Sequence, residues 1–137
     1  MPVIPSTPLV LVAEDYELAG LLIERYLTRG DAAGRVYTVE RVENGRQAVE
    51  AATSKRYDLI LMDVDMPEMD GVEATRMIRA DEARRSASGV PIIAITANDD
   101  PDARERYLGV GFSDYLAKPV TRNLLHETVA RATRLTV

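Results

Sequence analysis

The sequence contains no cysteine, so a disulfide scaffold and a thiolate metal site are excluded, and a cytosolic address fits. It also lacks tryptophan and holds one phenylalanine and one histidine. No apolar run approaches the roughly 18 residues of a membrane span, and MPVIPSTP has no basic-then-apolar signal-peptide pattern. Excess positive charge is missing too. The formal net charge is -5, which speaks against direct binding to nucleic acid or to an anionic membrane. Lysine is scarce: among 17 basic residues only Lys55 and Lys118 are lysines.

What is present is a dense, evenly spaced set of apolar segments. With 137 residues the chain is long enough for one domain with a substantial core. Residues 1–8, with Pro2, Pro5 and Pro8, read as an irregular lead-in, and 9–135 as the domain. Leu9–Ala13, Leu59–Met62 and Ile92–Ile95 are continuous apolar runs, as expected of strands buried on both faces. A more mixed segment at Val36–Arg41 reads as an edge strand, and Phe112–Ala117 as a fifth strand.

Helices are expected between them. Tyr16–Arg29 carries Leu18, Leu21, Leu22 and Tyr26 at helical spacing. Arg46–Ser54 is alanine-rich and follows an Asn44-Gly45 turn. A third helix, to about Ala83, places Ala74, Met77 and Ile78 on one face. Pro101–Leu108 and Thr121–Thr133 complete the set. Five strands alternating with five helices predict a single doubly wound α/β domain with a parallel sheet.

Ligands of such sheets bind at the carboxyl ends of the strands. There the sequence places Glu14 and Asp15 after strand one, Asp63 at the end of strand three, Thr96 at the end of strand four and Lys118 after strand five. Singly, each has an ordinary reading, as a helix cap, a turn residue or a solvated loop residue. Jointly they make a chemical set. Close carboxylates repel by up to about 4 kcal/mol per pair at an effective dielectric near 20, so they stay ionised together only around a cation. All-oxygen ligation with an open side suits Mg²⁺. A carboxylate can act as nucleophile and form an aspartyl phosphate. An ammonium and a hydroxyl can share its phosphoryl oxygens with the metal.

Four stretches resemble the receiver domain of two-component response regulators: Glu14-Asp15, LILMDVDMPEMDG (Leu59 to Gly71), PIIAITAN (Pro91 to Asn98) and GFSDYLAKPV (Gly111 to Val120). The resemblance spans about residues 9–133. It implies a flavodoxin-like (βα)5 three-layer sandwich with strand order 2-1-3-4-5. It implies Asp63 as phosphoacceptor, with phosphotransfer and autodephosphorylation catalysed by the domain itself. The Mg²⁺ site would be Asp15 as a direct ligand, Glu14 acting through water, Asp63 and the backbone carbonyl of Asp65, with Thr96 and Lys118 acting on the phosphoryl group. Tyr115 falls at the aromatic switch position, Ala97 is suitably small beside the site, and Lys118-Pro119 matches a bond usually cis in the family. Asp65 and Asn98 fall where the family tunes dephosphorylation.

The implied partner is a sensor histidine kinase or histidine phosphotransfer protein in the cytoplasm. A homodimer or effector would use the face of helix 4, strand 5 and helix 5. The motif texture is most similar to receivers of hybrid sensor kinases, and the chain reads as a free-standing receiver or one excised from a longer protein. Departures are the Glu-Asp order of the acidic pair and longer connections at Gly30–Val36 and Arg84–Gly89.

Other classes fit less well. Asp63-Val64-Asp65 resembles the nucleophile motif of haloacid-dehalogenase-like phosphohydrolases, but it follows the third strand rather than the first, and Pro67 replaces the expected Thr or Val. A flavodoxin-type cofactor binder wants a phosphate-cradling loop where Glu14-Asp15-Tyr16-Glu17 stands. A pseudo-receiver is disfavoured by the complete set of site residues. His126 is expected to be an ordinary residue on the surface of the last helix.

Overall fold

The computed structural model of the chain describes residues 7–134. Most of the expected lead-in, residues 1–6, and the end of the expected domain, residue 135, lie outside them. In chain order the elements are β1 (Leu9–Ala13), α1 (Glu17–Arg29), β2 (Thr38–Val42), α2 (Gly45–Ser54) and β3 (Leu59–Asp63). Then follow α3 (Gly71–Arg85), β4 (Ile92–Thr96), α4 (Ala103–Val110), β5 (Asp114–Ala117) and α5 (Arg122–Arg134). All strand pairs are parallel and their order is β2-β1-β3-β4-β5. The doubly wound flavodoxin-like topology is therefore as expected.

The continuous apolar runs make sense once the two faces are separated. Side chains alternate along a strand, so each central strand feeds two cores. Leu11, Ile60, Met62, Ile92 and Ala94 face α2, α3 and α4 through Ala48, Ala74, Ile78 and Tyr107. Val10, Val12, Leu61, Ile93 and Ile95 face α1 and α5 through Ile23, Leu27, Leu125 and Val129. The edge strand β2 is mixed because only part of it is covered.

Two glycines bring the loops close to the sheet. A Cβ on Gly45 would lie 2.1 Å from the Met69 carbonyl oxygen, and one on Gly71 would lie 2.3 Å from that of Asp63. Neither position tolerates a side chain without moving backbone. The Asn44 side chain accepts from the Gln47 amide (2.8 Å) and Asp70 from the Glu73 amide (2.9 Å), capping α2 and α3. Together these contacts anchor the β3–α3 loop beside the carboxyl end of β3.

Several expectations require correction. On α1 the core-facing residues are Ile23 and Leu27, whereas Leu18, Leu21 and Leu22 are exposed. The helix has apolar residues on two faces, and spacing alone does not say which meets the sheet. Met77 is likewise exposed while Ala74, Thr75 and Ile78 are buried. The edge strand starts two residues later and ends one residue later than expected, and α4 is displaced to Ala103–Val110. His126 is buried, not a surface residue. Its Nε2 lies 2.8 Å from the Tyr26 carbonyl oxygen, tying α5 to α1.

Candidate functional site

The sheet reverses its winding direction between β1 and β3, because β2 lies on one side of β1 and β3 on the other. A crevice opens there at the carboxyl ends. Glu14 and Asp15 leave β1 on one wall, and Asp63 ends β3 on the other. One carboxylate oxygen from each of the three lies within 4.8 Å of the others. Glu14 and Asp63 are buried, and Asp15 is exposed at the rim.

Asp63 is only 1% exposed, which requires that its charge be met by partners. Its Oδ2 accepts from the Lys118 Nζ at 2.9 Å and its Oδ1 from the Asp65 backbone amide at 2.9 Å. Lys118 reaches it from beyond β5, past a cis Lys118-Pro119 bond. Burial lowers the Lys118 pKa, but the hydrogen bond and charge of Asp63 outweigh it, and the ammonium is held above its ordinary value.

Glu14 has the opposite fate. Burial lifts its carboxyl from 4.5 to about 8, and the hydrogen bond and charge of Asp63 add to the rise. Its Oε2 is buried with no hydrogen-bond partner. A buried oxygen without a donor, among carboxylates that repel one another, marks a place where positive charge is wanted. The donor set is hard oxygen on an open side, which fits a divalent cation such as Mg²⁺ and no soft metal.

The cleft continues as a cavity of about 460 Å³ whose far wall is apolar, formed by Leu18, Leu22, Tyr26 and Val120. A larger depression of about 720 Å³ lies at the opposite edge of the sheet, far from the carboxylates. Two of its cations are already paired, Lys55 with Glu40 and Arg85 with Asp81.

Thus Glu14, Asp15, Asp63 and Lys118 converge as expected, with Asp65 beside them. Thr96 and Tyr115 do not join them. The Thr96 hydroxyl is fully buried and shares a 2.8 Å hydrogen bond with the Tyr107 hydroxyl of α4. It also accepts from the Asn98 amide at 3.0 Å. Tyr115 turns outward and donates to Asp99 Oδ1 at 2.7 Å. Tyr107 is the residue that sequence reasoning missed. The available signal was the one aromatic hydroxyl of a short helix next to the strand that carries Thr96, since a buried tyrosine needs a partner for its O–H.

Fold and site together define a doubly wound α/β domain with a cation-ready acidic cleft at its switch point. The chain belongs to the response regulator receiver domain family, whose model matches residues 10–130. It is 39% identical over 134 residues to the sensor protein GacS of Pseudomonas syringae pv. syringae, covering 98% of this chain and 14% of that protein. It is 44% identical over 96 residues to the signal transduction histidine-protein kinase BarA of Shigella flexneri, covering 70% of this chain and 10% of that protein. The chain therefore spans only a small fraction of the curated relatives it matches. Among solved structures, it is similar to the receiver domain of sensor histidine kinase PA1611 from Pseudomonas aeruginosa PAO1. That match has a TM-score of 0.78 and 42% identity, covering 94% of this chain and 99% of that one. That relative carries a magnesium ion coordinated in its active site cleft. The haloacid-dehalogenase-like alternative finds no support. Among the described residues no helix is long and apolar enough to cross a membrane.

Proposed function

We propose that Asp63 accepts a phosphoryl group from a phosphohistidine and that the chain thereby acts as a signalling switch. The observation that carries this reading is a buried aspartate at the switch point, held by Lys118 and flanked by Glu14 and Asp15. Glu14, Asp15, Asp63 and the backbone carbonyl of Asp65 would hold Mg²⁺. When bound, it supplies positive charge for the phosphoryl oxygens in transfer.

The protein's own groups do the remainder. An Asp63 carboxylate oxygen attacks phosphorus, the histidine N–P bond breaks, and the imidazole nitrogen keeps the bonding pair as it leaves. The Lys118 ammonium neutralises the charge brought into the cleft. The Thr96 hydroxyl turns to donate to a phosphoryl oxygen, and Tyr115 responds on β5. Return to the resting state proceeds by attack of water on the acyl phosphate in the same cleft, without a second protein.

The donor is a sensor histidine kinase or a histidine phosphotransfer protein. Exposed Leu18 and Leu22, beside the acidic cleft, offer an apolar footing for the helix that carries the phosphohistidine. Output leaves through the face of α4, β5 and α5, toward an effector or a second copy. Such donors are charged from ATP, so the setting is cytoplasmic. The functional unit is residues 9–135, preceded by a lead-in at 1–8.

The test is incubation with a small phosphodonor or a phosphorylated histidine protein, with and without Mg²⁺. Hydroxylamine-sensitive label is expected only with the metal and is expected to vanish in Asp63→Asn. Label that persists in that variant refutes the assignment.

A further inference from the structure

Thr96 ends β4 close to Asp63, yet its hydroxyl is committed elsewhere. It shares a 2.8 Å hydrogen bond with the Tyr107 hydroxyl, and both residues are buried, at 0% and 4% exposure. The Asn98 amide holds the same oxygen from the loop that follows. Tyr107 is itself braced on several sides. Its ring meets Phe112 edge-on at 5.7 Å and lies tilted against Tyr115 at 6.0 Å. The Arg106 guanidinium sits 5.1 Å over the ring centroid and is fixed by a two-point pair with Asp100.

Two consequences follow from elementary chemistry. Thr96 cannot turn toward a phosphoryl group at Asp63 and keep its bond to Tyr107. Once it turns, the Tyr107 hydroxyl is left buried without that partner, and such a group strongly disfavours the state that contains it. The ring of Tyr107 also touches Tyr115, so a displacement of Tyr107 reaches β5 directly.

We propose that Tyr107 is a latch: it holds the Thr96 hydroxyl turned away from Asp63, sets how hard the switch is to throw, and relays its release to Tyr115. The proposal rests on the reading of Asp63 as phosphoacceptor. Tyr107 is a positioning residue, since it acts through Thr96 and not on the phosphoryl group. Its bond biases the resting equilibrium, and a ligand at Asp63 must overcome that bias before Thr96 is recruited.

Tyr107→Phe removes only the hydroxyl and keeps the ring against Phe112 and Tyr115, so the fold is expected to survive. Thr96 retains its bond from Asn98. The probe is beryllofluoride with Mg²⁺, a phosphoryl mimic, titrated into the full chain and followed by amide chemical shifts. Tyr107→Phe is expected to bind it about tenfold more tightly than the wild type, the ratio set by one ordinary buried hydrogen bond. In a Thr96→Ala background the same substitution is expected to give no gain, because nothing remains to be unlatched. In the unsubstituted protein, the Tyr107 ring resonances are expected to shift on saturation together with those of Tyr115.

Failure to bind the mimic at all, with Mg²⁺ present, overturns the phosphoacceptor reading and the latch with it. Equal or weaker binding by Tyr107→Phe overturns the latch alone and leaves that reading standing. So does an equal gain in the Thr96→Ala background, or a Tyr107 ring that stays unshifted on saturation.

Discussion

Replacing the ionisable carboxyl of Glu14 isolates what the acidic cleft does to the protein when no cation is present. The Glu14 carboxyl is raised from 4.5 to about 8, with burial as the main cause and Asp63 next. A carboxyl whose folded pKa exceeds its unfolded value contributes stability that is complete below the unfolded pKa. That contribution is lost as pH climbs through the folded one. Between pH 4.5 and about 8 the folded chain therefore holds a proton at Glu14 that the unfolded chain has released. Stability then falls with rising pH by up to about 1.4 kcal/mol per unit, the slope of one proton.

Glu14→Gln keeps the shape and cannot ionise, so it removes that slope. Urea unfolding in EDTA at pH 5, 6, 7 and 8 reads the difference between the two proteins, and titrations common to both cancel. The variant is expected to match the wild type near pH 5 and to exceed it progressively toward pH 8. Millimolar Mg²⁺ is expected to flatten the wild-type slope by stabilising the charged form. Parallel pH profiles in EDTA would show that Glu14 is ionised at neutral pH and that the cleft is not frustrated without metal.

Asp15→Ala is expected to weaken Mg²⁺ binding more than Glu14→Ala, because Asp15 is read as the direct ligand and Glu14 as acting through water; isothermal titration decides, and the reverse order refutes that assignment. In Thr96→Ala, shifts caused by beryllofluoride are expected to stay near Asp63, whereas in the wild type they reach Tyr115 and residues 101–110; full transmission in the variant removes the hydroxyl as coupling element. Gly71→Ala is expected to destabilise the chain by several kcal/mol, measured by urea unfolding, because its Cβ would sit 2.3 Å from the Asp63 carbonyl oxygen. Leu125→Ala, at a fully buried site between α5 and the sheet, is expected to cost about 2–5 kcal/mol in the same assay.

Much of this molecule is written in local pattern. Val10–Val12, Leu59–Met62 and Ile92–Ile95 are apolar without alternation, and only strands covered on both faces need that. Alternation of those strands with helices then leaves a parallel sheet as the remaining solution, with residues 14, 15, 63 and 118 at one edge. The carboxylates and the lysine were legible for that reason, since a residue at a strand's carboxyl end is placed by the topology itself.

Side-chain direction was not legible, because nothing in the sequence states which neighbour a group meets. Leu18 and Leu22 share the composition of a core stripe, but the helix rolls Ile23 and Leu27 onto the sheet and leaves them exposed. His126 looks like a surface residue until α1 supplies the Tyr26 carbonyl it meets. Thr96 lies at the expected strand end, but its hydroxyl is claimed by Tyr107, eleven residues away on a helix of few apolar cues. Which residues form the sheet and the acidic edge is legible along the chain, because periodicity and strand ends are local properties. Where Thr96, Tyr107 and Tyr115 point is settled by packing, because a buried hydroxyl takes whichever partner the fold brings within reach.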